Sequence, residues 1–173
     1  MNKYNQLLQP ISIQFNMLRP VHWADLGCGS GVFTEALAAY LPNGSTITAI
    51  DKAAQQVPKK MGDSVNVDFK IYDFEKDRLP LRQLDGILLA NSFHFIRDKE
   101  ALILKLEPCF THHPTFLLVE YDRDQANPWV PYPIPFEKLK TLFTKLNYHQ
   151  IEKIGTQKSA YGGAMYASLI SKN

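Results

Sequence analysis

The chain has 173 residues, 45% of them hydrophobic and 21% charged, with a net charge of +2. That is enough chain to bury one sizeable core as a single domain over 1–173, and the composition excludes a disordered or fibrous protein. The near-neutral charge supplies no field to steer a polyanion, so nucleic acid gains no support as a partner, and the apolar runs are too short to span a membrane.

In chain order, residues 4–18 read as a helix, with Leu7, Leu8, Ile11, Phe15 and Leu18 near one face and Pro20 as its stop. The segment Met1–Pro20 has no charged start followed by a long apolar core, so it does not read as a signal peptide. Val21–Leu26 reads as a first strand, and Val32, Phe33, Ala36, Leu37 and Tyr40 recur at helical spacing after it. Pro42-Asn43-Gly44-Ser45 is a turn, and Thr46–Ile50 is a short β-rich run ending at Asp51. Lys52–Lys60 is expected as a short helix interrupted by Pro58. Val65–Tyr72 alternates apolar and polar residues, a third strand ending at Asp73. Residues 74–84 are too short and too charged for a crossover helix, so an irregular connection is expected there. Asp85–Ala90 is almost wholly apolar, as a strand buried on both faces would be.

Asp98 is placed to cap a helix from Lys99 to about Glu107, ended by Pro108. Thr115–Glu120 is the fifth strand, and Phe136, Leu139, Leu142, Phe143 and Leu146 mark a further amphipathic helix. Tyr148–Ile154 and Ala164–Ser171 are two closing strands around a Gly162-Gly163 loop. Strands alternating with helices give an α/β fold, a doubly wound parallel sheet, and two consecutive strands at the end give an antiparallel edge pair. Cys28 and Cys109 do not make a disulfide framework, which fits a reducing, cytoplasmic setting, and Cys28 reads as packing rather than as a nucleophile. His112 and His113 lack a carboxylate at ligand spacing, so no metal site is expected. The lysines at 138, 140, 145, 153 and 158 read as a solvated face.

The chemistry concentrates at Asp25-Leu26-Gly27-Cys28-Gly29-Ser30-Gly31, between the first strand and its helix. Glycines at 27, 29 and 31 permit positive φ and let another molecule press against the turn, where the helix start presents free N–H groups. A dinucleotide fingerprint would place a glycine at 32, where this chain has Val32, and Asp25 puts a carboxylate where a cationic amino group fits better than a pyrophosphate. Ligands of open α/β sheets bind beyond the carboxyl ends of the strands. Asp51 ends the second strand, where a carboxylate can accept from both hydroxyls of a ribose. Asp73-Phe74 ends the third, where the acid can accept from an adenine amino group and the next N–H can donate to a ring nitrogen. The fourth strand leads into Asn91-Ser92-Phe93-His94 and the fifth into Glu120-Tyr121-Asp122.

The pattern Asp-Leu-Gly-Cys-Gly-Ser-Gly resembles the first motif of the class I S-adenosylmethionine-dependent methyltransferases, and Leu89–Ile96 resembles the fourth motif of the small-molecule members. The resemblance runs from about Ala24 to Glu120. It implies a three-layer, Rossmann-like sheet of seven strands, mostly parallel, with the last strand inserted antiparallel. It also implies S-adenosylmethionine as cofactor, with S-adenosylhomocysteine as product, and a small-molecule acceptor. Asp25 and Gly27, with Cys28, Gly29 and Gly31 of the same turn, would face the methionine part; Asp51 and the adjoining Lys52 would hold the ribose; Asp73 and Phe74 would hold the adenine; and Asn91 would lie near the reacting methyl.

His94 is the candidate base if the acceptor carries a proton, its other reading being a histidine packed near a helix start; Tyr121 could orient the acceptor. The proline-rich segment 122–135 is stiff, and its Trp129 and Tyr132 either wall the acceptor pocket or pack on the sheet edge. Residues 1–20 could cap the site, or a homodimer could close it. Two other readings stay open: a non-catalytic cofactor-binding module with a protein or RNA partner, and an NAD-linked enzyme.

Overall fold

The computed structural model describes residues 4–13, 19–62, 64–159 and 162–172. After a short helix α1 (Asn5–Leu8) and a 3₁₀ turn (Gln9–Ile13) come β1 (His22–Leu26), α2 (Val32–Ala38), β2 (Thr46–Asp51), β3 (Lys60–Met61), β4 (Val65–Ile71) and β5 (Gly86–Ala90). A 3₁₀ turn at Phe93–Phe95 leads to α3 (Lys99–Leu106), β6 (Thr115–Tyr121), α4 (Phe136–Lys145), β7 (Gln150–Lys158) and β8 (Ala164–Ser171). The strand order is β3-β4-β2-β1-β5-β6-β8-β7. From β4 to β6 every pair is parallel, and β8 lies antiparallel between β6 and β7. The seven expected strands are therefore present, with the last one inserted antiparallel.

An eighth, two-residue strand replaces the helix expected over Lys52–Lys60. Asp51 Oδ1 accepts from Ala53 N at 2.9 Å, which turns the chain immediately after β2. Pro58 offers no N–H and bars its predecessor from helical backbone, so no helix nucleates. The chain instead returns as β3, whose Lys60 and Met61 face Asn66 and Val65 of β4 in an antiparallel pair. The start of β7 also differs: Tyr148 N donates to Phe143 O, so the end of α4 continues past its last turn and the strand begins at Gln150. Tyr148 packs in the core, its ring centroid 5.0 Å from Phe143, edge to face. The N-terminal helix is regular only through Leu8 and then tightens; Phe15 and Leu18 of the expected helix lie outside the described residues. Residues 74–84 form the irregular connection expected.

Strand alternation sorts the core into two layers. Ala24, Leu26, Ile87, Leu89, Phe116 and Leu118 project to one face and meet Leu102, Ile103, Leu106, Leu139 and Phe143 of α3 and α4. Trp23, Leu88, Ala90, Leu117 and Val119 project to the other and meet Leu7, Leu8 and Ile11 with Phe33, Ala36 and Leu37 of α2. Each such large side chain contributes about 1.5–3 kcal/mol on burial, so both faces of the sheet are held firmly. Asp98 caps α3, accepting from Ala101 N at 3.0 Å. Pro135 leads directly into α4, whose first N–H, on Phe136, donates to Asp122 Oδ1 at 3.0 Å.

This register places the site. Leu26 pairs with Ile50, and Asp25 with Leu88, so the carboxyl ends of β1, β2 and β5 finish level. The order of connection reverses at β1, which has β2 on one side and β5 on the other. A crevice opens above such a switch point because successive loops leave in opposite directions.

Candidate functional site

The glycine turn rises from β1 with φ of 78° at Gly27, 50° at Gly29 and 84° at Gly31. All three lie in left-handed backbone, which side chains with a Cβ occupy only at a cost. Gly27 and Cys28 donate from N to Ile50 O at 2.8 and 3.0 Å, tying the turn to β2. A Cβ on Gly27 would lie 2.6 Å from Ser92 Cβ, whereas one on Gly29 would meet nothing within 4 Å. The turn is thus packed tightly at its base and open at its crest.

A cavity of about 340 Å³ adjoins this turn, lined by Gly27, Asp51, Lys52, Asp73, Phe74, Asn91 and Ser92 with Phe95, Ile96, Glu75 and Lys76. That volume is within the range of small-molecule sites. It gathers residues from the ends of β1, β2, β4 and β5 at one place. Six expected site residues, Gly27, Asp51, Lys52, Asp73, Phe74 and Asn91, stand on its wall; Asp25, Cys28, Gly29, Gly31, His94 and Tyr121 are not among the lining residues.

Each acid is held differently. Asp51 Oδ2 accepts from Gly29 N at 2.9 Å and Oδ1 from Ala53 N, which fixes the carboxylate at the mouth and leaves lone pairs on both oxygens. Asp73 Oδ1 accepts from Glu75 N and Lys76 N at 3.1 and 3.3 Å, so one oxygen serves its own turn. Asp25 is 1% exposed and lies beneath the turn, where Oδ2 accepts from the Thr34 hydroxyl at 2.6 Å. Burial raises its pKa to about 7 against the Thr34 bond, with the Asp51 charge adding to the rise. Asp25 Oδ1 and Asn91 Oδ1 are buried without a hydrogen-bond partner among the described residues. Asn91 lines the cavity, and a buried acceptor left bare there is the mark of a site that receives a donor from a ligand; the bare oxygen of Asp25 lies below the turn. Asn91 also holds a φ of 52°, unusual for a residue with a side chain. Burial pushes the Cys28 thiol far up, with the Asp25 and Asp51 charges adding to it, so it is no nucleophile.

Beyond Asn91 the chain turns toward β6. Ser92 Oγ donates to Leu26 O at 2.6 Å, joining β5's exit to the glycine turn. His94 N donates to Glu120 Oε1 at 3.1 Å, and His94 Nδ1 lies 2.7 Å from Glu120 Oε2. The two side chains are 4% and 1% exposed. Nδ1 is the donor to the carboxylate, so the lone pair of the neutral ring resides on Nε2. The Tyr121 ring stands 5.7 Å from the imidazole, centroid to centroid. His94 is therefore a buried imidazole, oriented by Glu120 and packed against the Phe95 ring at 4.4 Å, as the reading of a packed histidine expected.

Glu120 carries the orienting role, one that the sequence order alone did not assign. Its clue was a carboxylate at the end of an otherwise apolar strand, a position buried on both sides of the sheet. Lys153, expected on a solvated face, is exposed. Its Nζ donates to Asp122 Oδ2 at 3.0 Å and lies 4.5 Å from the Phe136 ring centroid. Burial opposes ionisation of Asp122, but the Phe136 N–H and Lys153 outweigh it and hold the carboxyl below its usual range.

The proline-rich segment is anchored at several points. Asn127 Oδ1 accepts from Trp129 N and Val130 N at 2.9 and 2.7 Å, and Tyr132 N donates to His94 O at 3.0 Å. Lys99 Nζ donates to Ile96 O and Tyr132 O at 2.7 and 2.8 Å, and burial lowers its pKa to about 8 against the attraction of Glu120. His112 and His113 are exposed in the bend before β6. Among the described residues no helix is long and apolar enough to cross a membrane.

Comparison with known proteins gives a consistent picture. A family model described as a methyltransferase domain matches residues 24–112, more than half of the chain. The chain is 28% identical over 129 residues to malonyl-[acyl-carrier protein] O-methyltransferase 2 of Ilyobacter polytropus, covering 73% of this chain and 47% of the relative. It is 31% identical over 103 residues to the malonyl-[acyl-carrier protein] O-methyltransferase of Bacillus cytotoxicus, covering 58% of this chain and 35% of that protein. The chain thus spans less than half the length of these two curated relatives. Among solved structures, the Burkholderia thailandensis 1,6-didemethyltoxoflavin-N1-methyltransferase, with its substrate and S-adenosylhomocysteine bound, superposes with a TM-score of 0.70 at 16% identity, covering 98% of this chain and 79% of that one. At that identity the likeness concerns the fold.

Proposed function

Because the chain belongs to the methyltransferase domain family, we propose that it binds S-adenosylmethionine at the strand-end cavity and transfers the methyl group to a small-molecule acceptor. The observation that carries this reading is the pair of orphaned buried acceptors, Asp25 Oδ1 and Asn91 Oδ1, at a glycine turn whose crest is open. These residues fit the cofactor. Asp25 would take the ammonium, Asp51 with Lys52 the ribose, and Asp73 with Phe74 the adenine. Gly27, Cys28, Gly29 and Gly31 form the turn against the methionine part, and Asn91 lies nearest the transferable group.

When bound, the cofactor supplies a methyl group on a sulfonium, whose sulfur keeps the bonding pair on release. The chain's own task is then to hold the acceptor in line and keep the pocket dry, which supplies much of the acceleration. An acceptor that carries a proton gives it to His94 Nε2. Glu120 fixes that tautomer through Nδ1 and stabilises the imidazolium that results. Tyr121 orients the acceptor. We take 1–173 as one domain, with 122–135 as the wall of the acceptor site and residues 1–20, or a second copy of the chain, as its cover.

Calorimetry with S-adenosylhomocysteine and with NADH is the first test, followed by turnover of methyl-labelled cofactor against a metabolite panel. The panel includes a malonyl group on acyl carrier protein, the acceptor named for the two relatives. Binding of S-adenosylhomocysteine with label transfer is the expected result. Tight NADH binding alone defeats the proposal, and cofactor binding without transfer to any acceptor leaves a binding module instead.

A further inference from the structure

A second cavity, of about 610 Å³, lies between the connection that precedes β5 and the end of α3. It shares no lining residue with the strand-end cavity. The backbone frames it. Leu84 N donates to Cys109 O at 2.9 Å and Thr111 N to Leu84 O at 3.0 Å, which fastens its two walls to each other. Lys105 Nζ donates to Phe74 O and Glu75 O at 3.1 and 2.9 Å, which ties the start of the connection to α3. Leu81 and Leu106, both buried, give the cavity an apolar lining.

The charged residues on its walls are Arg78, Arg82 and Lys105, and no acid joins them there. The acids near these segments in the chain are engaged elsewhere. Asp77 Oδ2 accepts from Asp73 N, Asp85 takes Arg19 and the His22 N–H, and Glu107 takes Lys172 and the Tyr148 hydroxyl. Among the described residues, Arg78, Arg82 and Lys105 form no ion pair, whereas Lys138, Lys145, Lys153 and Lys172 each have a carboxylate. Three like charges around one cleft repel one another and focus a positive potential in it, which an entering anion relieves. Guanidinium forks match the oxygens of a phosphate, and Lys105, with two of its three N–H groups in use, has a third to give. Apolar walls beside the cations suit the organic body of a phosphate ester better than the bare ion, which would leave them wet.

We propose that this cavity is a second ligand site, which takes a small organic phosphate on Arg78, Arg82 and Lys105, apart from the strand-end cavity. The test is calorimetry on the full chain at fixed ionic strength, with hexyl phosphate as probe and hexan-1-ol and inorganic phosphate as its two halves. Hexyl phosphate should bind saturably and more tightly than either half. It should bind equally well when S-adenosylhomocysteine already saturates the protein. Arg78→Gln and Arg82→Gln should each raise its dissociation constant about tenfold, as loss of a charged contact does. Lys140→Gln removes the same charge from α4, away from the cavity, and should leave the constant unchanged. A thermal midpoint equal to wild type certifies that each variant is folded.

Binding of hexan-1-ol or inorganic phosphate as tightly as the ester overturns the proposal. So does a constant unchanged in both arginine variants, or one weakened as much by Lys140→Gln, which would make the effect one of net charge. Displacement of hexyl phosphate by S-adenosylhomocysteine also overturns it, since the probe would then occupy the strand-end cavity. Failure of S-adenosylhomocysteine to bind at all counts against the methyltransferase reading alone, and the arginine variants still decide the second site.

Discussion

Asp25 gives the sharpest quantitative test. Its carboxyl is 1% exposed, has one bond from Thr34 and one bare oxygen, and titrates near pH 7 because burial disfavours its charge. An ordinary aspartate, as in the unfolded chain, titrates at 3.8. Between those values the folded chain keeps a proton that the unfolded chain has released. The ligand-free protein therefore loses stability as pH rises from about 4 to about 7, at no more than about 1.4 kcal/mol per unit, and levels off above. A bound ammonium supplies the missing partner and favours the carboxylate, so binding expels the proton. At pH 6 roughly nine chains in ten hold it, and at pH 8 roughly one in ten, so binding should release about 0.9 and about 0.1 protons respectively. Calorimetry of S-adenosylhomocysteine in buffers of different ionisation enthalpy counts these protons directly. Asp25→Asn should abolish the difference between the two pH values. Equal release at pH 6 and pH 8 in the wild type, or release at pH 6 that survives in Asp25→Asn, would refute the assignment.

The same geometry sets three further outcomes. Asp51→Ala should weaken cofactor binding about tenfold to a hundredfold, roughly 1.5–3 kcal/mol for a charged contact set, and an unaltered calorimetric affinity would place the nucleoside elsewhere. Gly27→Ala must hold a Cβ at a φ of 78° and 2.6 Å from Ser92 Cβ. The backbone costs about 1–2 kcal/mol and the crowding about 1–3 kcal/mol more, so a denaturant midpoint equal to wild type would contradict the packing described. Glu120→Gln leaves an acceptor for His94 but removes the negative charge. Methyl transfer to a protonated acceptor should drop on the order of tenfold to a hundredfold in kcat while cofactor affinity holds, and an unchanged kcat would make Glu120 structural only.

The route from residues to site was short where the signal is local. Three glycines in five residues after an apolar run specify a turn whatever surrounds it, because positive φ is a property of the residue itself. Acids at 51 and 73 end strands whose alternation is visible in the chain, and strand ends are where ligands of such sheets gather. Local chemistry misled at Lys52–Lys60, where a single proline outweighed the helical tendency of its neighbours and the segment paired at the sheet edge instead. Lys153 is solvated, as its polar neighbours along β7 suggest, but its partners Asp122 and Phe136 come from elsewhere in the chain and no local pattern announces them.

By itself, then, the sequence determined the sheet, its order of strands and helices, and the glycine turn after β1, since each depends on periodicity or on backbone freedom within a few residues. Tertiary structure alone decided that Glu120 orients His94 from 26 residues away, that Asp25 retreats beneath the turn with one oxygen bare, and that Lys99 clips the proline-rich segment to the turn after β5. Those outcomes depend on distances between strands and on how deeply a charge is buried, and neither quantity exists until the layers close.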